Sequence, residues 1–309
     1  MCSYYFIATS DQVPYHVRSI SLPSRLHPLS NDIEIELKNF ELLLASSSSS
    51  MDYYSSITIS SSVMNADLLT RLVHLYNCVN EQIIGSSLSQ KVLLHDQDQE
   101  KYLDKVLDMS LVFLDVCGSA RELLQLAKEH AQELQSAMRR HRKGQDCSSI
   151  KSQICDYFCF KKRAKREISK ILKSLKKMEN NHGFVNGKTH YCLSNVSKVL
   201  RELSIVTILV LRRVLIFMCP QVLKKKNNIG EWLLLFSRKN RVINSNEIDV
   251  FPCTIIVKKT NGFVKDDLEI VKRRLEGVDE CVRELEAGLG CLFRCLIRHR
   301  VSLLNLLTP

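Results

Sequence analysis

Apolar residues recur at steps of three and four along most of the chain, and each such run predicts a helix with one buried face. Ser30 and Asn31 can cap the first, in which Ile33, Leu37, Phe40 and Leu44 follow one another at helical spacing. A second helix is expected over residues 65–84, with Leu69, Leu72, Val73, Tyr76, Val79 and Ile83 inward and Gly85 as a stop. The third, over 100–140, carries a stripe of Leu103, Val106, Leu107, Leu114, Cys117, Leu124, Ala127, Ala131, Leu134 and Met138. It tolerates Gly118 at a cost near 1 kcal/mol, about what glycine loses to alanine inside a helix. A polar turn through Gly144 leads to a fourth helix over 150–179, and a fifth over 193–218 stops before Pro220. The last pattern is the longest. Val264, Leu268, Val271, Leu275, Val278, Val282, Leu285, Leu289 and Leu292 alternate steps of four and three, and LFRCLIRHRVSLLNLL continues apolar behind them. That is a heptad seam of the coiled-coil kind, suited to packing against other helices.

Between these runs the pattern lapses. Residues 1–29 hold Pro14, Pro23 and Pro28 and no helical period, so a disordered tail is expected. SSSSSMDYYSSITISSS, residues 46–62, reads as a flexible serine-rich linker, and NHGFVNGKTH as a loop. Within 230–263, EWLLLFSRKNRV reads as a short helix and FPCTIIVKK as a loop or a lone strand with nothing obvious to pair with. The expected fold is an all-α bundle of long helices over residues 30–309, interrupted by the serine linker and preceded by the tail.

Composition supports this. The 309 residues are 45% hydrophobic, enough for a substantial core, and contain only 10 Gly and 6 Pro, too few to punctuate a many-stranded fold. Collagen, a mucin-like stalk and wholesale disorder are excluded. Twelve cysteines are spread from Cys2 to Cys295 rather than clustered, and MCSYYFIATSDQV lacks the basic and apolar regions of a signal peptide. The expectation is a non-secreted, cytoplasmic protein whose thiols act mostly as small buried hydrophobes.

Charge changes the picture more. Residues 1–138 hold 9 Lys and Arg against 17 Asp and Glu, a net of −8, whereas residues 139–309 hold 35 against 16, a net of +19. Much of the excess lies on the fourth helix. At 100° per residue Lys162, Arg166, Lys170, Lys173 and Lys177 fall within an arc of about 80°, opposite Ala164, Ile168, Ile171, Leu175 and Met178. A basic amphipathic helix of this kind can lie on anionic lipid. Nucleic acid is disfavoured, since no base-reading or stacking element accompanies the cations. The structural alternative is a partner stripe: Asp104, Asp108, Asp115, Glu122, Glu129 and Glu133 of the third helix fall within an arc of about 60°, and an antiparallel pair of helices would let the two stripes neutralise each other.

Other candidate chemistry is sparse. No GxxxxGK[ST], GxGxxG, GxSxG or HExxH occurs. Cys155 and Cys159 share a helix face upstream of His182, His190 and Cys192, and Cys291, Cys295 and His299 form a row, but tetrahedral zinc needs four converging ligands. Apolar neighbours Phe158, Phe160, Leu292, Leu296 and Ile297 favour buried thiols, so neither metal nor cofactor is expected. The apolar run 203–218 spans about 24 Å of helix against a hydrocarbon core of about 30 Å. Arg212 and Arg213 within it cost about 5–7 kcal/mol on insertion, so a bundle helix is favoured over one that touches lipid. In the tail, Arg18, Ser19, Ile20, Ser21, Leu22 and Pro23 read R-S-x-S-x-P, the phosphoserine pattern docked by 14-3-3 proteins, with Ser21 the phosphate acceptor and Pro23 turning the chain out of the groove.

Four blocks carry a family resemblance: YHVRSISLPSRLHPL (15–29), FLDVCGSARELLQLAKEHAQELQSAMRRHR (113–142), AKREISKILKSLKKME (164–179) and GLGCLFRCLIRHRVSLLNLL (288–307). Together they resemble the plant-specific BYPASS-related group of proteins. The resemblance implies a plant, helical, non-secreted protein linked to root and shoot development, without an established enzymatic activity and without catalytic residues to carry over. The expectation is a non-enzymatic regulatory or interaction protein. A peripheral protein on anionic lipid is the alternative and an enzyme the third.

Overall fold

The computed structural model describes residues 33–40, 42, 59–85, 97–141, 147–181, 195–219 and 265–307, all but a few terminal positions of which are helical. The helices are α1 (33–40), α2 (Ile59–Val79, continued by a π-helical turn Asn80–Ile84), α3 (Gln97–His141), α4 (Cys147–Asn181), α5 (Asn195–Met218) and α6 (Lys265–Leu307). No strand occurs among the described residues. The expected all-α fold is what forms. Helix α2 begins inside the serine-rich segment, because Ser61 and Ser62 continue a helix that Leu68, Leu69 and Leu72 anchor. The tail, residues 230–263 and most of the serine tract lie outside the described residues.

Helices α2, α6, α3 and α5 pack in that cyclic order around one core, and α4 lies against α3 and α5 on the outside. Cross-contacts give the directions. Gly288 meets Leu69 and His299 meets Asn80, so α6 runs parallel to α2. Arg300 meets Leu107 while Gly290 faces Arg121, so α3 is antiparallel to α6. Thr207 meets Tyr76 and Arg213 meets Asn65, so α5 is antiparallel to α2.

From Leu275 onward the seam read from the sequence is the one that packs; the side chains of Val264, Leu268 and Val271 lie outside the described residues. Leu275, Val278, Val282, Leu285, Leu289, Leu292, Leu296, Leu303 and Leu306 of α6 are buried. Their neighbours are the predicted inner faces of α2 (Leu69, Leu72, Tyr76, Val79) and α3 (Leu103, Val106, Cys117, Leu124, Ala131, Leu134), also buried. Gly288 allows the closest approach: a Cβ there would sit 2.9 Å from Leu69 Cδ1. Helix α1 is held on α2 by Arg71, whose guanidinium donates to Glu36 Oε1 through Nε (3.0 Å) and Nη2 (2.6 Å) and lies 4.9 Å above the Phe40 ring.

The two arginines of the apolar run have structural work. Arg212 Nη1 donates to Glu179 Oε2 of α4 at 2.8 Å, and Arg213 Nε to Asn65 Oδ1 of α2 at 3.2 Å. They tie α5 to its neighbours from the rim, while Leu203, Val206, Val210, Leu211, Val214 and Leu215 fill the core. Among the described residues, no helix is long and apolar enough to cross a membrane.

Candidate functional site

Two places concentrate polar chemistry, one at the surface and one in the core. At the surface, α4 turns Tyr157, Phe160, Ala164, Ile168, Leu175 and Met178 inward. The Phe160 ring lies 4.8 Å from the imidazole of His130 on α3. Lys162, Arg166, Lys170, Lys173 and Lys177 project from the other side, and all five are exposed. Arg163 and Lys176 flank them, likewise exposed. The stripe of the sequence is thus one continuous cationic face, about 22 Å long at the helical rise.

The acidic stripe of α3 does not neutralise it. Asp104, Asp108, Asp115, Glu122, Glu129 and Glu133 are also exposed, and among the described residues no ion pair joins the two stripes. Along the stripes the contacts run within one helix: Lys170 with Glu167 at 2.9 Å, His130 with Glu133 at 3.4 Å, Gln125 with Glu129 at 3.0 Å. The reason is geometric. Helices α3 and α4 meet through apolar faces, so their polar faces point away from the contact rather than across it.

The cysteines correct a second expectation. Cys295 is buried, but Cys155, Cys159 and Cys291 are exposed, as are Phe158 and Ile297. Tyr157 and Phe160 take the inward positions of α4, and residues one or two places away are rotated out of the core. The wheel arithmetic that defines the basic stripe places Cys155 and Cys159 inside its arc, a signal that was readable in the sequence. Among the described residues no group of three or more His, Cys, Asp or Glu side chains could hold a metal ion. His182, His190 and Cys192 lie outside the described residues, as do Arg18, Ser19, Ser21 and Pro23 of the phosphoserine motif.

The core site is a polar layer that periodicity did not reveal, because its members stand at core positions. Tyr76 of α2 and Thr207 of α5 share a hydrogen bond of 2.9 Å between their hydroxyls. The Tyr76 ring meets His299 of α6 edge to face, with centroids 4.9 Å apart. His299 Nδ1 pairs with Asn80 Oδ1 at 2.6 Å, and Cys295 Sγ donates to Asn77 Oδ1 at 3.3 Å. Asn80 opens the π-helical turn, closed by Gly85 N–H donating to Asn80 O at 2.9 Å. Next to His299 on α6, Arg300 Nη1 donates to Leu107 O at 2.5 Å and to Ser110 Oγ at 3.0 Å.

Burial holds Tyr76, Cys295 and His299 uncharged. It pushes the His299 imidazole down to about 3, so the ring is neutral at physiological pH. It raises the Tyr76 hydroxyl well above its ordinary value, with the Thr207 hydrogen bond opposing, and it also raises the Cys295 thiol. Cys117 is pushed up to about 12, against the opposing pull of Arg121. A neutral, hydrogen-bonded layer sets which turns of α2, α5 and α6 face one another, since any slip would leave buried polar atoms unpaired.

No curated protein and no solved structure matches the chain at a significant level. A family model does: the one described as Protein BPS1 matches residues 68–306, from the middle of α2 to near the end of α6, taking in α3, α5 and the cationic face of α4. With more than half of its length matched, including three of the four blocks that carry the BYPASS-related resemblance, the chain belongs to the Protein BPS1 family.

Proposed function

We propose that the chain is a non-enzymatic regulatory protein of plants that acts by binding other macromolecules, in the root and shoot development to which its family resemblance points. The observation that carries this is the cationic face of α4. Lys162, Arg166, Lys170, Lys173 and Lys177 are exposed on a helix whose apolar side is already committed to the core. Such a face adds nothing to packing and repels itself, which suits a surface meant to meet an anionic partner. A second contact is proposed in the tail, where phosphorylated Ser21 with Arg18, Ser19 and Pro23 would dock a 14-3-3 protein. The test is affinity capture from plant tissue of three forms side by side: wild type, tail-deleted protein, and a charge-reversed K162E/R166E/K170E/K173E variant. Partners that survive both changes would count against both surfaces.

The same face favours a second reading, attachment to an anionic membrane surface in the cytoplasm. With Ile168, Leu175 and Met178 buried against the bundle, α4 cannot insert its apolar side, so binding would be electrostatic and lost at high salt. Sedimentation of purified protein with phosphatidylserine vesicles at low and high salt tests it.

A further inference from the structure

The cationic face of α4 does not end at Lys162. Numbered by angle around the helix, its five basic residues occupy an arc of about 80°, and Cys155 and Cys159 fall inside the same arc, one and two turns further toward the N-terminus. Both thiols are exposed, and Phe158 between them is 40% exposed, beside an otherwise polar surface. Among the described helices α4 packs chiefly on α3 and α5, through its apolar side, and this side faces away from them. Two neighbouring thiols, an apolar ring and a row of cations thus share one outward surface about 33 Å long from Cys155 to Lys177.

We infer that Cys155 and Cys159 are sites of S-acylation by long-chain fatty acyl groups, which anchor α4 to an anionic membrane surface with its cations against the headgroups. The inference rests on the membrane reading given above and supplies what that reading lacks. A single acyl chain holds a protein only marginally and reversibly, and so does a modest basic patch, whereas the two together give stable attachment. Because the helix keeps its own apolar side in the core, hydrophobic anchoring has to come from an added chain. The reaction balances without an oxidant: the cysteine sulfur attacks the thioester carbonyl of a long-chain acyl-CoA, the CoA sulfur leaves, and the cysteine proton ends on the CoA thiol. One thioester replaces another, and hydrolysis reverses the step. Other fates of the pair fit less well. Thiols at i and i+4 on one straight helix point side by side and cannot close a disulfide without distorting it, and no third metal ligand stands beside them among the described residues.

Full-length protein produced in plant cells fed an alkynyl long-chain fatty acid provides the test, with hydroxylamine-labile label mapped to peptides by mass spectrometry. Label at Cys155 or Cys159 is expected. C155S/C159S should lose that label and shift at least severalfold from the membrane to the supernatant fraction, while C291S, which removes an exposed thiol on α6, should change neither. Absence of label from both positions overturns the inference, as does membrane retention of C155S/C159S equal to wild type. Because the substituted side chains are exposed, the variant should melt as wild type does. Vesicle sedimentation of unacylated protein made in bacteria runs beside it. Loss of that binding alone removes the electrostatic reading and leaves the acyl sites standing.

Discussion

Helices α4 and α6 carry the same kind of apolar seam and opposite kinds of outer surface. In α6 the seam from Leu275 to Leu306 is buried between α2 and α3, and the exposed charges are of both signs: Asp279 and Glu280 against Arg283, Arg294 and Arg298, with Arg283 and Glu280 3.8 Å apart. In α4 the seam is buried as well, but the exposed arc is cationic from Lys162 to Lys177. Mixed charge is what a solvated helix needs for solubility and weak local pairing. An unmixed arc gives up that pairing and accepts self-repulsion. The comparison separates what holds the bundle together from what it shows to its surroundings.

The strongest way to break that separation is to cut the α6 seam. Leu285→Ala or Leu275→Ala should lower unfolding free energy by about 2–5 kcal/mol in urea titration, since both side chains are buried. An unchanged midpoint would mean that the seam is not core.

The polar layer gives the next largest effect, and it has a sign. His299 is held down to about 3 in the fold, below its ordinary 6.5. The unfolded chain therefore binds the extra proton first as pH falls. The stability from keeping His299 neutral is fully present above about pH 6.5 and is lost progressively between there and about pH 3, at up to about 1.4 kcal/mol per pH unit. His299→Gln should flatten that slope in urea melts across the window while costing stability at neutral pH.

Glycines sharpen the comparison. A Cβ at Gly288 would meet Leu69 Cδ1 at 2.9 Å, so Gly288→Ala should destabilise by about 1–3 kcal/mol through overpacking. A Cβ at Gly118 meets nothing within 4 Å, so Gly118→Ala should stabilise by about 0.5–1 kcal/mol through helix propensity alone. Thermal melts of the two variants should move in opposite directions.

The smallest effect belongs to α4. Replacing Lys162, Arg166 and Lys173 by glutamine should shift unfolding free energy by no more than about 0.5 kcal/mol per site, because exposed charges without cross-helix partners carry little stability. A large loss in circular-dichroism melts would show that the face packs against something in the fold.

Helix positions and inner faces were legible in the sequence from periodicity. Ile33, Leu37, Phe40, Leu69, Leu72, Cys117, Leu134, Ala164, Ile168, Leu285 and Leu289 were all assigned inward and are all buried. The basic arc was legible too, since residues on one helix hold their relative angles whatever the helix packs against. What failed was relational. Pairing of the acidic and basic stripes was inferred from matching length, but length does not say which faces meet. Cys155 and Cys159 were assigned to the core by their aromatic neighbours, yet adjacency along a helix is a rotation of about 100° and not a shared environment.

The six described helices, the apolar seams and the cationic face follow from local spacing and side-chain character within one element. Tertiary packing set α6 parallel to α2 and antiparallel to α3. It also brought Tyr76, Thr207, Asn80 and His299 into one neutral layer, and left the outward arc of α4 without a partner among the described helices. Those contacts join residues more than a hundred positions apart, and no local period encodes which distant side chain will satisfy a buried hydroxyl or imidazole.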